Sequence, residues 1–141
     1  MKLRKIVNVT TQAVYYREAD GREPVNDFLE GLTDPRMQAT LDMQIDRLNG
    51  LTPGAPPLPF PHSSQVDGPL RELRCHFGNQ LFRVLYRRSD NLFVLLHMFR
   101  KDSGKIPRVE IGIANERWDD FRSRMNADPR TPPRAAGHDA P

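Results

Sequence analysis

Residues 70–100, LRELRCHFGNQLFRVLYRRSDNLFVLLHMFR, contain the strongest β-sheet pattern in the chain. Its first eight residues alternate between apolar and polar side chains, which is typical of a β-strand with one buried face. The two-residue turn Gly78-Asn79 then favours a tight hairpin. The run LFVLLHMF at 92–99 is apolar in both alternating sets, which predicts a strand covered on both faces. We therefore predict three successive antiparallel strands over 70–77, 80–88 and 92–99.

The sequence on either side of these strands predicts one further strand and three helices. Residues 5–16 are rich in Val, Tyr and Thr and predict a strand. Pro24 and the Asp34-Pro35 pair fit helix starts, and apolar residues follow each at helical spacing. A last apolar stripe over 111–125 predicts a C-terminal helix. The predicted order is β-α-α-β-β-β-α, an α+β fold in which helices cover one side of a small antiparallel sheet.

A chain of 141 residues is long enough for one hydrophobic core and one domain. Its prolines cluster in two segments, and the five in residues 53–61 predict an extended loop. Residues 128–141 hold four more and contain no large apolar side chain, so they cannot bury enough surface to become ordered. We predict a folded domain over 1–127 and a disordered tail over 128–141. Deleting that tail should change the free energy of unfolding by no more than about 0.5 kcal/mol.

The composition disfavours several classes of protein. Cys75 is the only cysteine, so no internal disulfide can form and a reducing compartment fits best. Its place on the apolar side of a strand pattern predicts a buried, unreactive thiol. No stretch approaches the length of a membrane span, and the four histidines lack a spacing typical of zinc sites. We expect a cytoplasmic protein that uses no metal or other cofactor.

Basic residues are concentrated in the predicted strands and the loop that follows them. Residues 70–108 contain nine of the 21 lysines and arginines against three acids, a local net charge of +6 in a chain of net charge +3. Basic side chains set into strand sequence predict a positive sheet face, which suits a phosphate backbone. The alternative is a solvated, arginine-rich face with no ligand.

Several fragments in a fixed order carry a family resemblance. They are REPVNDFLEGL at 22–32, LRELR at 70–74, FRVLY at 82–86, VLLHMFRKDSGKIP at 94–107, and Glu110-Ile111 with Ala114. Together they resemble the phage-derived HigB-like toxins of the RelE/ParE toxin–antitoxin superfamily, over roughly residues 15–118. The family commonly carries two lysines after the phenylalanine, whereas here Arg100 precedes Lys101. The charge is kept at position 100, but arginine is a poor base, which puts a catalytic role there in doubt.

The resemblance implies a metal-independent endoribonuclease that cuts mRNA, typically on the ribosome. A helix-turn-helix antitoxin would silence it, and the implied fold is a small antiparallel sheet flanked by helices. Two alternatives stay open. A related branch of the superfamily inhibits gyrase by protein–protein contact, and an inactive relative would only bind its antitoxin.

Metal-free RNA cleavage needs a base for the ribose 2′-OH, positive charge at the phosphoryl oxygens and an acid for the leaving group. The Gly78-Asn79 turn sets Arg74 directly opposite Arg83 across the hairpin, so their side chains share a face. Two unpaired arginines repel each other unless an anion lies between them, which favours a phosphate clamp. The alternative is that Glu72 neutralises one arginine and the other is solvated.

The remaining candidates are less determined by the sequence. His97 suits acid–base work but is equally a candidate core histidine, and Lys101 is a candidate base or phosphate ligand. Glu72 is a candidate base or orienting group, and Tyr86 is expected in the core. The predicted catalytic set is Arg74, Arg83, His97 and Lys101, and the predicted RNA-binding set is Arg71, Arg87, Arg100 and Lys105.

Overall fold

A five-stranded mixed sheet lies at the centre of the computed structural model, which describes residues 10–127 and 132–137. The strands are β1 (Gln12–Tyr15), β2 (Ser63–Asp67), β3 (Leu70–Phe77), β4 (Gln80–Ser89) and β5 (Leu92–Arg100), in the order β1-β5-β4-β3-β2. The helices are α1 (Pro24–Glu30), α2 (Pro35–Ile45), followed by a 3₁₀ turn at Asp46–Leu48, and α3 (Arg108–Met125).

The central hairpin has the register that the sequence predicts. β3 and β4 pair antiparallel from Arg71 opposite Tyr86 to Phe77 opposite Gln80. Gly78 takes a φ of +59° in the turn, a conformation that glycine adopts without steric cost. Each of the three predicted strands is confirmed to within one residue at its ends.

The sheet differs from the prediction at both of its edges. β1 runs parallel to β5, so the sheet is mixed and not purely antiparallel. β2 is an additional strand that pairs with β3. Its sequence SSQVD holds one apolar residue and follows a proline-rich loop, so pairing with β3 and not its own pattern makes it a strand. The sequence predicts the first strand over residues 5–16, of which 5–9 lie outside the described residues. Of residues 10–16, only Gln12–Tyr15 forms a strand.

Helices cover both faces of the sheet, which corrects the prediction that they lie on one side. We call the two sides the α1–α2 face and the α3 face. The α1–α2 face buries Val25, Leu41, Leu73, Cys75, Val84 and Leu95, and the α3 face buries Leu70, Leu85, Leu96, Ala114, Trp118 and Phe121. β5 contributes to both cores, as its doubly apolar sequence predicts. Cys75 is buried, as predicted, and burial raises the pKa of its thiol to about 12, which disfavours the reactive thiolate.

The helix starts follow local chemistry. The Asp34 carboxylate accepts a hydrogen bond from the Arg36 backbone N–H at 2.9 Å, and Pro35 occupies the first helical position of α2. Pro24 and Arg108 begin α1 and α3. In the part of the chain that the structure describes, no helix combines the length and the apolar character that crossing a membrane requires.

Residues 132–137, which we call the C-terminal segment, pack against the free edge of β1. Ala135 bridges Val14 in antiparallel fashion, the Tyr15 N–H donates to the Arg134 carbonyl at 2.9 Å, and Ala136 is buried. This order differs from the tail predicted over 128–141, of which 128–131 and 138–141 lie outside the described residues. The reason is that an unpaired strand edge offers backbone hydrogen bonds that need no large apolar side chain.

Candidate active site

Three charged side chains meet on the α3 face of β3 and β4. Glu72 Oε1 lies 3.4 Å from Arg83 Nη1, and Glu72 Oε2 lies 3.6 Å from Arg74 Nη1. Only 4% of the Arg83 side chain, 8% of Glu72 and 18% of Arg74 is exposed. We call these residues the Arg–Glu–Arg cluster. Its two arginines oppose each other across the hairpin, as the register predicts.

Neighbouring elements hold the cluster in place. Arg83 Nε donates to the Lys101 carbonyl at 3.0 Å, and the Ser64 hydroxyl of β2 donates to Glu72 Oε2 at 2.6 Å. Arg74 is held less tightly, because its Nε is buried without a hydrogen-bond partner among the described residues. Its guanidinium carbon lies 4.9 Å from the centre of the Phe60 ring. Hydrogen bonds thus hold Arg83 Nε and Glu72 Oε2, whereas Glu72 Oε1 and Arg74 Nε have no hydrogen-bond partner among the described residues.

The premise that the two arginines are unpaired is wrong. Glu72 lies between Arg74 and Arg83 and forms an ion pair with each of them. The alternative, in which Glu72 neutralises one arginine and leaves the other solvated, is also wrong. Strand alternation places Glu72 on the same face as Arg74, and only the side-chain geometry shows that one carboxylate reaches both cations. Glu72 therefore reduces the repulsion between the two arginines without a ligand, but the cluster keeps a net charge of +1.

The Arg–Glu–Arg cluster lines a cleft of about 530 Å³ between β2, the loop after β5 and the start of α3. Asp67, Lys105 and Arg108 also line it. Four cations thus face two carboxylates, and the cleft carries a net positive charge. Arg108 is exposed and only loosely paired with Asp67, at 3.9 Å. Among residues 10–127 and 132–137, no group of His, Cys, Asp or Glu side chains is placed to hold a metal ion.

His97 lies outside this cleft, in a separate, partly buried cluster on the α3 face. The register between β4 and β5 shifts by one residue at this point, which places Leu96 and His97 on the same side. Arg117 Nη1 lies 3.1 Å from His97 Nδ1 and can only donate, so Nε2 carries the proton and donates to Glu110 Oε1 at 2.7 Å. Both ring nitrogens are engaged. His97 is thus a partly buried histidine held by two side chains and not, as one sequence-based alternative had it, by the backbone.

Replacing His97 with glutamine should reduce the loss of stability in mild acid. Burial lowers the pKa of His97 below 6.5, and Arg117 adds to this against the opposing hydrogen bond from Glu110. The unfolded chain therefore binds a proton at His97 before the folded one does, so folding free energy is lost as pH falls through 6.5 toward the lowered pKa. Denaturant unfolding between pH 7.5 and 5 measures this. If the free energies of unfolding of the wild type and the variant change with pH in the same way, the lowered pKa of His97 is contradicted.

The family of the chain follows from its sequence match. Residues 27–119, about two thirds of the chain, match the family described as Phage derived protein Gp49-like (DUF891). The chain belongs to the Gp49-like family. This family is RelE-like and associated with toxin–antitoxin systems, which confirms the predicted toxin–antitoxin context, whereas the HigB-like assignment stays a prediction. No curated protein matches the sequence.

The other basic residues predicted to bind RNA in this Gp49-like protein are spread over both faces. Arg71 lies on the α1–α2 face, where its Nη2 donates to the Leu58 carbonyl at 3.0 Å. Arg87 is on the α3 face but stacks on Trp118 at 4.4 Å, four residues along β4 from Arg83. Both guanidinium groups thus make contacts within the protein and outside the cleft. The hydroxyl of the buried Tyr86, 2.7 Å from Ser63 Oγ, confirms the predicted core tyrosine.

The loop after β5 contributes one predicted residue to the Gp49-like cleft. Arg100 pairs with Phe82 across the sheet, on the α1–α2 face, and forms an ion pair with Asp102 at 2.9 Å. Lys101 contacts the cluster through its carbonyl, and its side chain does not line the cleft. Lys105 does line it. Of the eight predicted site residues, the cleft brings together Arg74, Arg83 and Lys105. Reasoning from sequence missed Ser64 and Arg108, although Arg108 belongs to the basic stretch.

Proposed function

We propose that this chain is the HigB-like toxin of a type II toxin–antitoxin system and cleaves mRNA in the cleft, on the translating ribosome. In this proposal it acts in the cytoplasm and a helix-turn-helix antitoxin neutralises it. The observation that carries the proposal is the buried Arg–Glu–Arg cluster at the floor of a net positive cleft. Membership of a toxin–antitoxin-associated, RelE-like family supports it.

A phosphodiester fits the charge and the size of the cleft. Its volume of about 530 Å³ is that of a small-molecule site, large enough for one nucleotide with its phosphate. The ion pairs of Glu72 with Arg74 and Arg83, at 3.6 and 3.4 Å, are longer than charge-assisted hydrogen bonds. Both guanidinium groups therefore keep N–H donors that can turn toward a phosphate, and Lys105 and Arg108 add positive charge.

The residues of the cleft can divide the chemistry among them. The ribose 2′-oxygen attacks the adjacent phosphorus, the bond from phosphorus to the 5′-oxygen breaks, and a 2′,3′-cyclic phosphate remains. Glu72 takes the proton from the 2′-OH, and Arg74 and Arg83 balance the charge that grows on the phosphoryl oxygens. Lys105 returns a proton to the leaving 5′-oxygen, a task for which arginine is too weak an acid. In this proposal the catalytic lysine is therefore Lys105, which lines the cleft, and not Lys101, the residue predicted from the sequence.

Inducing the protein alone should arrest growth and deplete mRNA. Glu72→Gln should lower the cleavage rate by about 10²- to 10⁴-fold, because it removes the base and keeps the shape of the side chain. Mapping of RNA ends should find 5′-hydroxyl and cyclic-phosphate termini. Arg100→Ala is the matched control, since Arg100 is a cation on the opposite face, and it should remain toxic. Growth arrest with intact transcripts and altered DNA supercoiling would instead favour the gyrase-inhibitor alternative.

A second candidate is an inactive relative that only binds its antitoxin. One observation favours it, because Glu72 already forms an ion pair with each arginine without a ligand. On this alternative, the purified protein binds the product of the neighbouring antitoxin gene but neither cleaves RNA nor arrests growth. The induction experiment therefore separates the two candidates.

A further inference from the structure

Phe60 leaves a large apolar ring in solvent beside the cleft. It lies in the loop before β2, and 68% of its surface is exposed. An exposed phenylalanine forgoes the stabilisation that burial would give it. The position of this ring next to a charged cleft therefore needs an explanation.

The backbone holds Phe60 in a defined place. The His62 and Ser63 N–H groups both donate to the Pro59 carbonyl, at 2.9 and 3.1 Å, which closes the loop around Phe60. The Arg74 N–H donates to the His62 carbonyl at 2.8 Å, which attaches this loop to β3. The loop that carries the ring is thus attached to β3, the strand that also carries Arg74.

Arg74 connects the ring to the cleft. Its guanidinium carbon lies 4.9 Å from the ring centre, within the range of a cation–π contact, and its side chain also lines the cleft. One face of Phe60 is therefore supported by a cation, whereas most of the ring stays open. An aromatic ring one side chain away from a phosphate site lies within reach of a base of the same strand.

We infer that Phe60 is a stacking platform for an unpaired base of the RNA strand whose phosphate is bound in the cleft at Arg74. The inference rests on the proposed function and defines its substrate as single-stranded RNA with a base turned out of its stack. Proteins read single-stranded RNA by stacking unpaired bases on aromatic side chains, and this binding tolerates different bases. Phe60 therefore adds affinity without fixing one nucleotide identity.

Charge favours a base over a protein side chain as the occupant of the ring. The net positive cleft attracts a polyanion, and Arg74 contacts both the cleft and Phe60. A strand whose phosphate sits at Arg74 brings a base to the ring without further rearrangement. An apolar residue of a protein partner would cover the ring but leave the cations without an anion.

The test combines a protein variant with an RNA variant. The probe is a short single-stranded RNA with 2′-O-methyl groups, which lacks the attacking hydroxyl, together with copies in which one abasic position is moved along the strand. For the wild type, the abasic site at one position should weaken binding by roughly 10- to 100-fold. Phe60→Ala should bind the intact strand more weakly than the wild type does, by the same factor. The abasic site should not weaken the binding of Phe60→Ala any further.

Two further variants control this comparison. Met43→Ala removes another exposed apolar side chain, 57% exposed on α2, which packs on the opposite face of the sheet, and should bind as the wild type does. Phe60→Trp should keep the affinity and show fluorescence quenching when RNA binds. Thermal melts of all variants check the fold.

Each outcome decides the inference. Equal RNA affinity of Phe60→Ala and the wild type would overturn it and leave the proposed function standing. An abasic effect that persists in Phe60→Ala would show that the variant acts by displacing Arg74, which also overturns it. Impaired neutralisation by the antitoxin with unchanged RNA binding would assign the ring to a protein partner instead. No binding by the wild type would overturn the inference, and the induction experiment would still decide the proposed function.

Discussion

Replacing Arg83 with alanine is expected to abolish cleavage and to destabilise the fold at the same time. Removal of a donor that stabilises transition-state charge costs about 2.7–4 kcal/mol in comparable sites. The fold suffers because Glu72 is buried and loses one of its two cations. Breaking a buried ion pair from one side costs about 3–5 kcal/mol. Denaturant unfolding of the purified variant and its cleavage of ribosome-bound mRNA measure the two effects.

The double variant Glu72→Gln with Arg83→Ala separates stability from activity. It should regain stability relative to Arg83→Ala alone, because no buried carboxylate is left without its partner, but it should not cleave.

Arg74→Ala should destabilise less, since Arg74 is more exposed and Glu72 keeps Arg83. Arg83→Lys should restore little activity, because the two-donor geometry of the guanidinium is lost. Wild-type cleavage by both alanine variants would place the chemistry elsewhere.

Ending the chain before Pro132 should lower the free energy of unfolding by about 2–4 kcal/mol. The truncation removes two backbone hydrogen bonds to β1 and uncovers the core around Ala136. It also leaves the buried Glu23 carboxylate without Arg134, whose guanidinium lies 2.8 Å from it. This expectation replaces the limit of about 0.5 kcal/mol that the sequence alone gives. Chemical denaturation of the shortened chain provides the measurement.

A pair of point variants shows which contact matters. Arg134→Ala removes the partner of a buried carboxylate and should account for about half of the loss. Arg22→Ala removes an exposed ion pair with Asp27, 3.8 Å apart, and should change stability by less than about 0.5 kcal/mol. If the truncated chain is as stable as the full one, the C-terminal segment contributes no net stabilisation.

The parts of the fold that were predictable from sequence are those set by local rules. Alternation and the two-residue turn fix the β3–β4 pairing, and the Asp34-Pro35 pair fixes the start of α2. Two pairings, β1 with β5 and the C-terminal segment with β1, join elements that are distant in sequence. The pairing of β2 with β3 involves a strand whose own sequence pattern is weak. Local periodicity carries no information on which distant strand supplies the partner.

The candidate site divides in the same way. Strand alternation placed Arg74 and Arg83 on one face, and the same rule, applied to Arg71 three residues earlier, would have excluded it from that face. The role of His97 depended on a register shift between β4 and β5 that no turn residue marks. The carboxylate of Glu72 reaches both arginines. This contact depends on side-chain geometry, which the sequence pattern does not contain.

The parallel pairing of β1 has a consequence for the order in which the sheet can assemble. Gln12 leaves the ribosome early, but its partner Leu92 is synthesised some 80 residues later, so β1 must wait unpaired. β3 and β4 are joined by a two-residue turn and can pair as soon as both have emerged. Closing a long loop costs more chain entropy than closing a short one. The hairpin that carries Glu72, Arg74 and Arg83 can therefore form first, and the edge sealed by the C-terminal segment is completed last.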